Sequence, residues 1–142
     1  MNDFLARLQN GGLLFDGSMG ALIEARGVTT NCPALLNAEN PALIRAIHQD
    51  YRAAGADVSI ANTFGANPIK LRALGLENRL DELIEKGVAL AREAGNFALL
   101  DIGPTGEFLR PAGNIGLEEM TQVFRACAQA GARAGADGVI IE

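Results

Sequence analysis

Cysteine, histidine and tryptophan are scarce in this chain: two cysteines, one histidine and no tryptophan in 142 residues. A catalytic zinc wants three protein ligands close in space. Cys32 and Cys127 stand 95 positions apart, and neither lies in a Cys-x-x-Cys or Cys/His pair. With His48 as the lone imidazole they make a poor metal site, so the sequence assigns no metal ligand. Helix-borne Cys127 reads as a small buried apolar residue, whereas Cys32, beside Pro33 in a loop, is left open. There is no basic block, and the net charge is −5, which argues against a nucleic-acid or anionic-membrane surface. No apolar run approaches about 18 residues and no basic, apolar, small-residue leader is present. The expectation is a cytoplasmic protein without membrane span or signal peptide, whose compartment disfavours a disulfide.

What is present describes a soluble domain: 49% hydrophobic and 20% charged residues, in a length that fits one domain with a real core. Leu13-Leu14-Phe15-Asp16-Gly17-Ser18-Met19-Gly20 reads as a short buried strand ending in Asp16. It breaks there into a tight turn, because glycine accepts positive φ without steric cost. A carboxylate beside backbone N–H groups and a helix start near Ala21 could hold a zwitterion, Asp16 meeting an ammonium and the amides a carboxylate. Gly17-Ser18-Met19-Gly20 lacks the full dinucleotide fingerprint, no phosphate-loop motif occurs, and Asp16 would repel a phosphate.

Along the chain, residues 3–10 form an amphipathic helix capped by Asp3 and stopped by Gly11-Gly12. Residues 28–39 have no period and read as loop. Asn40-Pro41 starts a helix with Leu43, Ile44, Ile47 and Tyr51 on one face. His48, at the edge of that face, reads as a packing residue satisfied by a backbone partner. A second strand spans Asp57–Asn62, and helices follow over 69–74 and 79–93. A third strand, Phe97–Asp101, runs into Gly103-Pro104-Thr105-Gly106, where Asp101 would close the turn. A helix from about Leu117 leads to a fourth strand, Gly138–Glu142, with Ile140 buried.

Ala54-Gly55-Ala56-Asp57 repeats as Ala134-Gly135-Ala136-Asp137, 80 positions on. Each copy joins a helix end to a β-branched strand, so the chain divides into strand-helix units that call for a parallel sheet with right-handed crossovers. Ligands gather at the carboxyl ends of such strands, where Asp16, Asn62, Asp101 and Glu142 converge. Four units cannot close an eight-stranded barrel. The expectation is therefore either part of a larger fold, or strand edges covered by another copy or subunit.

In order, Asp16-Gly17-Ser18-Met19-Gly20, Asn37 with Pro41 and His48, Asn62-Thr63-Phe64-Gly65-Ala66-Asn67, Gly103-Pro104-Thr105-Gly106, and Gly135-Ala136-Asp137 with Ile141-Glu142 resemble the homocysteine S-methyltransferase family. The likeness is nearest to the homocysteine-binding module of cobalamin-dependent methionine synthases. It implies that residues 1–142 are the first four β/α units of a (β/α)8 barrel, an α/β half-barrel of parallel strands. It also implies that Asp16 and Glu142 hold the substrate ammonium, with backbone around Gly17, Ser18 and Met19 at its carboxylate and Asn62 at the same rim. Ile60 and Ala61 depart from the family, which usually has a polar residue before Asn-Thr-Phe.

The family activates the homocysteine thiol with zinc on three cysteine thiolates, and methylcobalamin is one of its methyl donors. Its zinc motifs, an Asn-Cys strand end and a Gly-Gly-Cys-Cys turn, do not occur in this sequence. The expectation is thus the amino-acid half of a methyltransferase site, with homocysteine as partner. No catalytic residue, zinc or cobalamin is expected of this chain alone, which is predicted inactive in isolation. The alternatives are a self-associating, non-catalytic half-barrel that scaffolds or binds amino acids, and one subunit of a split methyltransferase.

Overall fold

A computed structural model describes residues 3–95 and 97–142. Three strands, β1 (Val58–Ile60), β2 (Phe97–Ile102) and β3 (Gly138–Ile141), form a parallel sheet in the order β1-β2-β3. Helices α1 (Asp3–Asn10), α2 (Met19–Ala25), α3 (Leu36–Glu39) and α4 (Pro41–Ala53) precede β1. Helices α5 (Pro68–Ala73) and α6 (Leu80–Glu93) carry the chain from β1 to β2, and α7 (Leu117–Arg133) carries it to β3. The cap proposed for the Asp3 side chain lies outside what is described. The Asn40 cap of α4 is present, its side chain accepting from Leu43 N–H at 3.3 Å.

Alternation along β2 decides what each side of the sheet does. Ala98, Leu100 and Ile102 face outward into a core with Leu83, Ile84, Val88 and Ala91 of α6 and Cys127 and Ala130 of α7. Full burial of one such side chain, Leu100 for instance, contributes about 1.5–3 kcal/mol. Leu99 faces inward and packs with Val58, Phe97 and Phe4 of α1. The Phe4 and Phe97 rings meet edge to face at 5.3 Å, so α1 plugs the amino-terminal end of the sheet's inner face. Asp101, next on that inward face, comes out at the opposite, carboxyl end.

The repeated Ala-Gly-Ala-Asp segments do the same job twice. Gly55 and Gly135 end their helices at φ +104° and +77°, in the left-handed region that glycine reaches freely. Asp57 then gives its N–H to Leu14 C=O at 2.7 Å and accepts Leu14 N–H on its carboxylate at 3.0 Å. Asp137 repeats both bonds with Ala98, at 2.8 and 2.9 Å. Each aspartate thus locks the base of its strand to the preceding strand.

Three expectations change. The first strand is a single parallel bridge, Phe15 to Val58, and among the described residues the four expected strands are three. Backbone pairing there covers only Leu14 to Asp16, because glycines stand on either side and the Asp57 carboxylate takes the Leu14 amide. Leu14 and Phe15 are exposed accordingly. Residues 28–39 are not all loop: a 3-10 turn at Pro33–Leu35 leads into α3, a piece too short to show a period. On β3, Ile140, beside Asp101 on the inner face, is half-buried rather than buried, and Val139 and Ile141, beside Leu100 and Ile102 on the outer face, are exposed, since β3 is an edge strand of the sheet among the described residues.

Candidate functional site

A cleft of about 920 Å³ opens at the carboxyl ends of the strands. The turn after Phe15, the residues after β1, and the ends of β2 and β3 bring their side chains to it. Its lining includes Asp16, Gly17, Ser18, Met19, Asn62 and Glu142, the six residues that the sequence singles out, together with Asp101, Cys32, Phe64 and Lys70. A shallower hollow between Pro104 and Phe124 is apolar apart from Thr105 and Glu107 and gathers no comparable set of polar groups.

Asp16 is held from behind. Its side chain is 1% exposed, one carboxylate oxygen accepts Ile60 N–H at 3.0 Å, and the other has no hydrogen-bond partner. His48, fully buried on α4, places Nδ1 3.7 Å from Asp16 Oδ2. The backbone partner expected for His48 is not there: neither ring nitrogen is hydrogen-bonded among the described residues. What the ring faces instead is the site carboxylate.

The turn after Asp16 uses glycine for space and not for the positive φ expected of it, since neither Gly17 nor Gly20 lies in the left-handed region. A Cβ on Gly17 would come within 2.9 Å of the Tyr51 hydroxyl, and Tyr51 in turn donates to Ser18 C=O at 3.1 Å. Ser18 caps α2, which starts at Met19 rather than near Ala21, by accepting Ala21 N–H at 3.2 Å. As the first two helical residues, Met19 and Gly20 leave their N–H groups without an intrahelical acceptor. The Met19 side chain packs on the cluster of Ile23, Ile44 and Ile47.

Asn62 lines the cleft but spends both donors internally, on Pro33 C=O at 2.8 Å and Asn37 Oδ1 at 2.9 Å. Buried Asn37 returns one N–H to Asn62 C=O at 2.8 Å and gives the other to Leu83 C=O at 3.0 Å. The pair ties the cleft wall carrying Cys32 to β1 and α6.

Asp101 does not close the Gly-Pro turn. It sits on β2, 8% exposed, with one carboxylate oxygen buried and unpartnered. Burial, then the Glu142 and Asp16 charges, push its carboxyl up to about 7. Its backbone is satisfied, Thr63 Oγ1 accepting Asp101 N–H at 3.0 Å and donating to Asp101 C=O at 2.9 Å. Lys70, not marked by any sequence motif, is the sole Lys or Arg on the cleft lining among the described residues and lies 5.1 Å over the Phe64 ring. Only its position one turn into a proline-started helix hinted at this.

A thiolate zinc site does not fit these residues. The chain has two cysteines, of which Cys32 lines the cleft while Cys127 lies in the outer core with Sγ donating to Ala66 C=O at 3.5 Å. Burial pushes the Cys127 thiol up to about 11, the protonated form rather than the ligand form. Among the described residues, no group of three or more His, Cys, Asp or Glu could hold a metal ion, and no helix is long and apolar enough to cross a membrane.

A family profile described as homocysteine S-methyltransferase matches residues 13–142. The chain is 40% identical over 108 residues to the homocysteine S-methyltransferase of Escherichia coli (strain K12), covering 73% of this chain and 34% of that protein. It is 28% identical over 156 residues to the methionine synthase of Mycobacterium tuberculosis, covering 99% of this chain and 13% of that protein. The solved structure of the E. coli homocysteine methyltransferase MmuM in its metallated form superposes with a TM-score of 0.84 at 30% identity, over 99% of this chain and 57% of that one. The chain thus spans well under two thirds of the length of each of these relatives.

Proposed function

Because the chain belongs to the homocysteine S-methyltransferase family, we propose that its cleft is the amino-acid-binding part of a site where a methyl group passes to the homocysteine thiol, giving methionine. The observation that carries this is the buried Asp16 carboxylate, with one free oxygen, directly before a turn whose helix-start amides lack acceptors. That polarity matches a zwitterion: the ammonium between Asp16 and Glu142, the carboxylate at the amides around Gly17, Ser18 and Met19. Asn62 serves by fixing the wall beside the ligand.

In this reading residues 1–142 are the first strand-helix units of a (β/α)8 barrel, and the fourth unit begins at β3. The three thiolates for zinc, and any cobalamin or other methyl-donor site, come from outside these residues. When bound, the metal would supply a homocysteine thiolate at neutral pH. This chain's part is to bind and orient the amino-acid end of the substrate. The same assignment covers one subunit of a split methyltransferase. Exposed Val139 and Ile141 on β3 favour a second reading, a self-associating amino-acid-binding half-barrel, for which light scattering should give a discrete dimer.

Calorimetric titration with L-homocysteine tests the main reading. Saturable binding is expected, and Asp16→Asn should weaken it by about 10- to 100-fold, the size of a lost charged hydrogen bond. Equal affinity in wild type and D16N would remove Asp16 from the site, and absence of binding would remove the function.

A further inference from the structure

Three carboxyl groups, Asp16, Asp101 and Glu142, line one cleft whose lining contains a single Lys or Arg, Lys70. One ammonium would be matched by two carboxylates, so the third is unaccounted for. Its surroundings single out Asp101. The alternation of β2 aims it inward above Leu99, and Thr63 is already committed to its backbone. Asp16 also has one buried oxygen without a donor, but its other oxygen accepts Ile60 N–H, whereas among the described residues no hydrogen bond reaches the Asp101 carboxylate.

We propose that Asp101 is the proton-exchanging member of this carboxyl cage: it holds a proton while the cleft is empty and gives it up when a ligand ammonium enters. This rests on the amino-acid ligand proposed above and adds a coupling to it. Without a donor and between two like charges, the ionised form of Asp101 is disfavoured. An arriving ammonium brings both an opposite charge and N–H donors, which reverses both effects. The proton leaves to solvent, and the ammonium takes its place as the positive partner of the cage.

The groups facing Asp101 are few. Asp16 comes from the turn after Phe15 and Glu142 from the end of β3, both pushing its carboxyl up to about 7 after burial itself. Lys70 of α5 and Cys32 share the cleft wall, and His48 of α4 stands behind Asp16. On the other face of β2, α6 and α7 present apolar side chains and the Cys127 thiol.

Release of a proton makes affinity depend on pH in one direction. Below the Asp101 midpoint the proton must be displaced, so homocysteine affinity should climb by up to about tenfold per pH unit. Above about pH 7 it should level off. The ligand's own ammonium and thiol titrate above that window.

The test is homocysteine titration from pH 5 to 7.5 in buffers of different ionisation enthalpy, on wild type, Asp101→Asn and His48→Gln. Expected are a proton released on binding and a rising affinity in wild type and H48Q, with both effects absent in D101N. Persistence of the pH slope in D101N, or its loss in H48Q alone, overturns the proposal in favour of the imidazole. Carbon-13 NMR of the Asp101 carboxyl in the free wild-type chain gives an answer without any variant: a midpoint in the ordinary carboxylate range, about 4, also overturns it. A near-neutral Asp101 midpoint in a chain that no homocysteine concentration perturbs would instead defeat the proposed function, and the coupling with it.

Discussion

His48 Nδ1 lies 3.7 Å from Asp16 Oδ2, with both side chains 1% exposed or less. The distance is too long for a hydrogen bond, yet the ring makes no other one. A buried imidazole with two orphan nitrogens costs the fold free energy. Its position turns that cost into a polar neighbour for the site carboxylate, on the side away from the cleft.

Stability and binding should therefore part company in His48→Leu. Removing an unpartnered polar ring should leave stability unchanged or raise it by up to about 1 kcal/mol. Homocysteine affinity should fall about three- to tenfold as Asp16 loses a polar neighbour. Denaturant unfolding and calorimetry on one preparation separate the two. A large loss of stability with unchanged affinity would make His48 a packing residue after all.

The repeated aspartates offer a graded test of the sheet. Asp137→Ala leaves the amide of fully buried Ala98 without its carboxylate acceptor and breaks the contact with Arg92 at 3.1 Å. It should cost about 1–3 kcal/mol. Asp57→Ala frees the amide of Leu14, which is exposed and open to water, and should cost less. Asn at either position keeps an acceptor and should recover much of the loss. Equal costs for D137A and D57A in urea unfolding would mean that strand locking is not what these residues do.

Those aspartates also show what the sequence carries. The Ala-Gly-Ala-Asp repeat, the Asn40-Pro41 start and the apolar faces of α4, α6 and α7 are local signals, and local signals place helices and central strands. The rim set of Asp16, Asn62, Asp101 and Glu142 follows from topology, because parallel strands end on one side. Contacts made across the fold left no such mark. The edge position of Phe15, the commitment of Asn62 to Asn37, and the meeting of His48 with Asp16 each depend on a partner tens of residues away.

Ile140 is a case where reading a β-branched run as buried overstates the packing. Leu100, fully buried between β2 and α7, should lose about 2–5 kcal/mol on truncation to Ala. Ile140→Ala, on a half-buried edge, should lose about 1 kcal/mol. Paired thermal or urea melts check the contrast, and an I140A cost equal to that of L100A would mean that β3 is covered in solution, as the self-associating reading requires.

Asp101 gives the chain a pH dependence of stability whose sign can be fixed in advance. In the unfolded chain its carboxyl titrates near the ordinary aspartate value of 3.8, and in the native state near 7. The native state thus holds a proton across that interval that the unfolded state has released, and stability falls as pH rises through it. The stabilisation is complete below about pH 4 and lost by about pH 7, falling by about 1.4 kcal/mol for each step of one in pH between those limits. Asp101→Asn mimics the protonated form at every pH, so it should match wild type at pH 4 and exceed it by a few kcal/mol at pH 7.5. Urea unfolding at those two pH values decides it. A D101N advantage that does not widen with pH would place an ionised carboxylate in the cleft, with a donor that the free protein supplies.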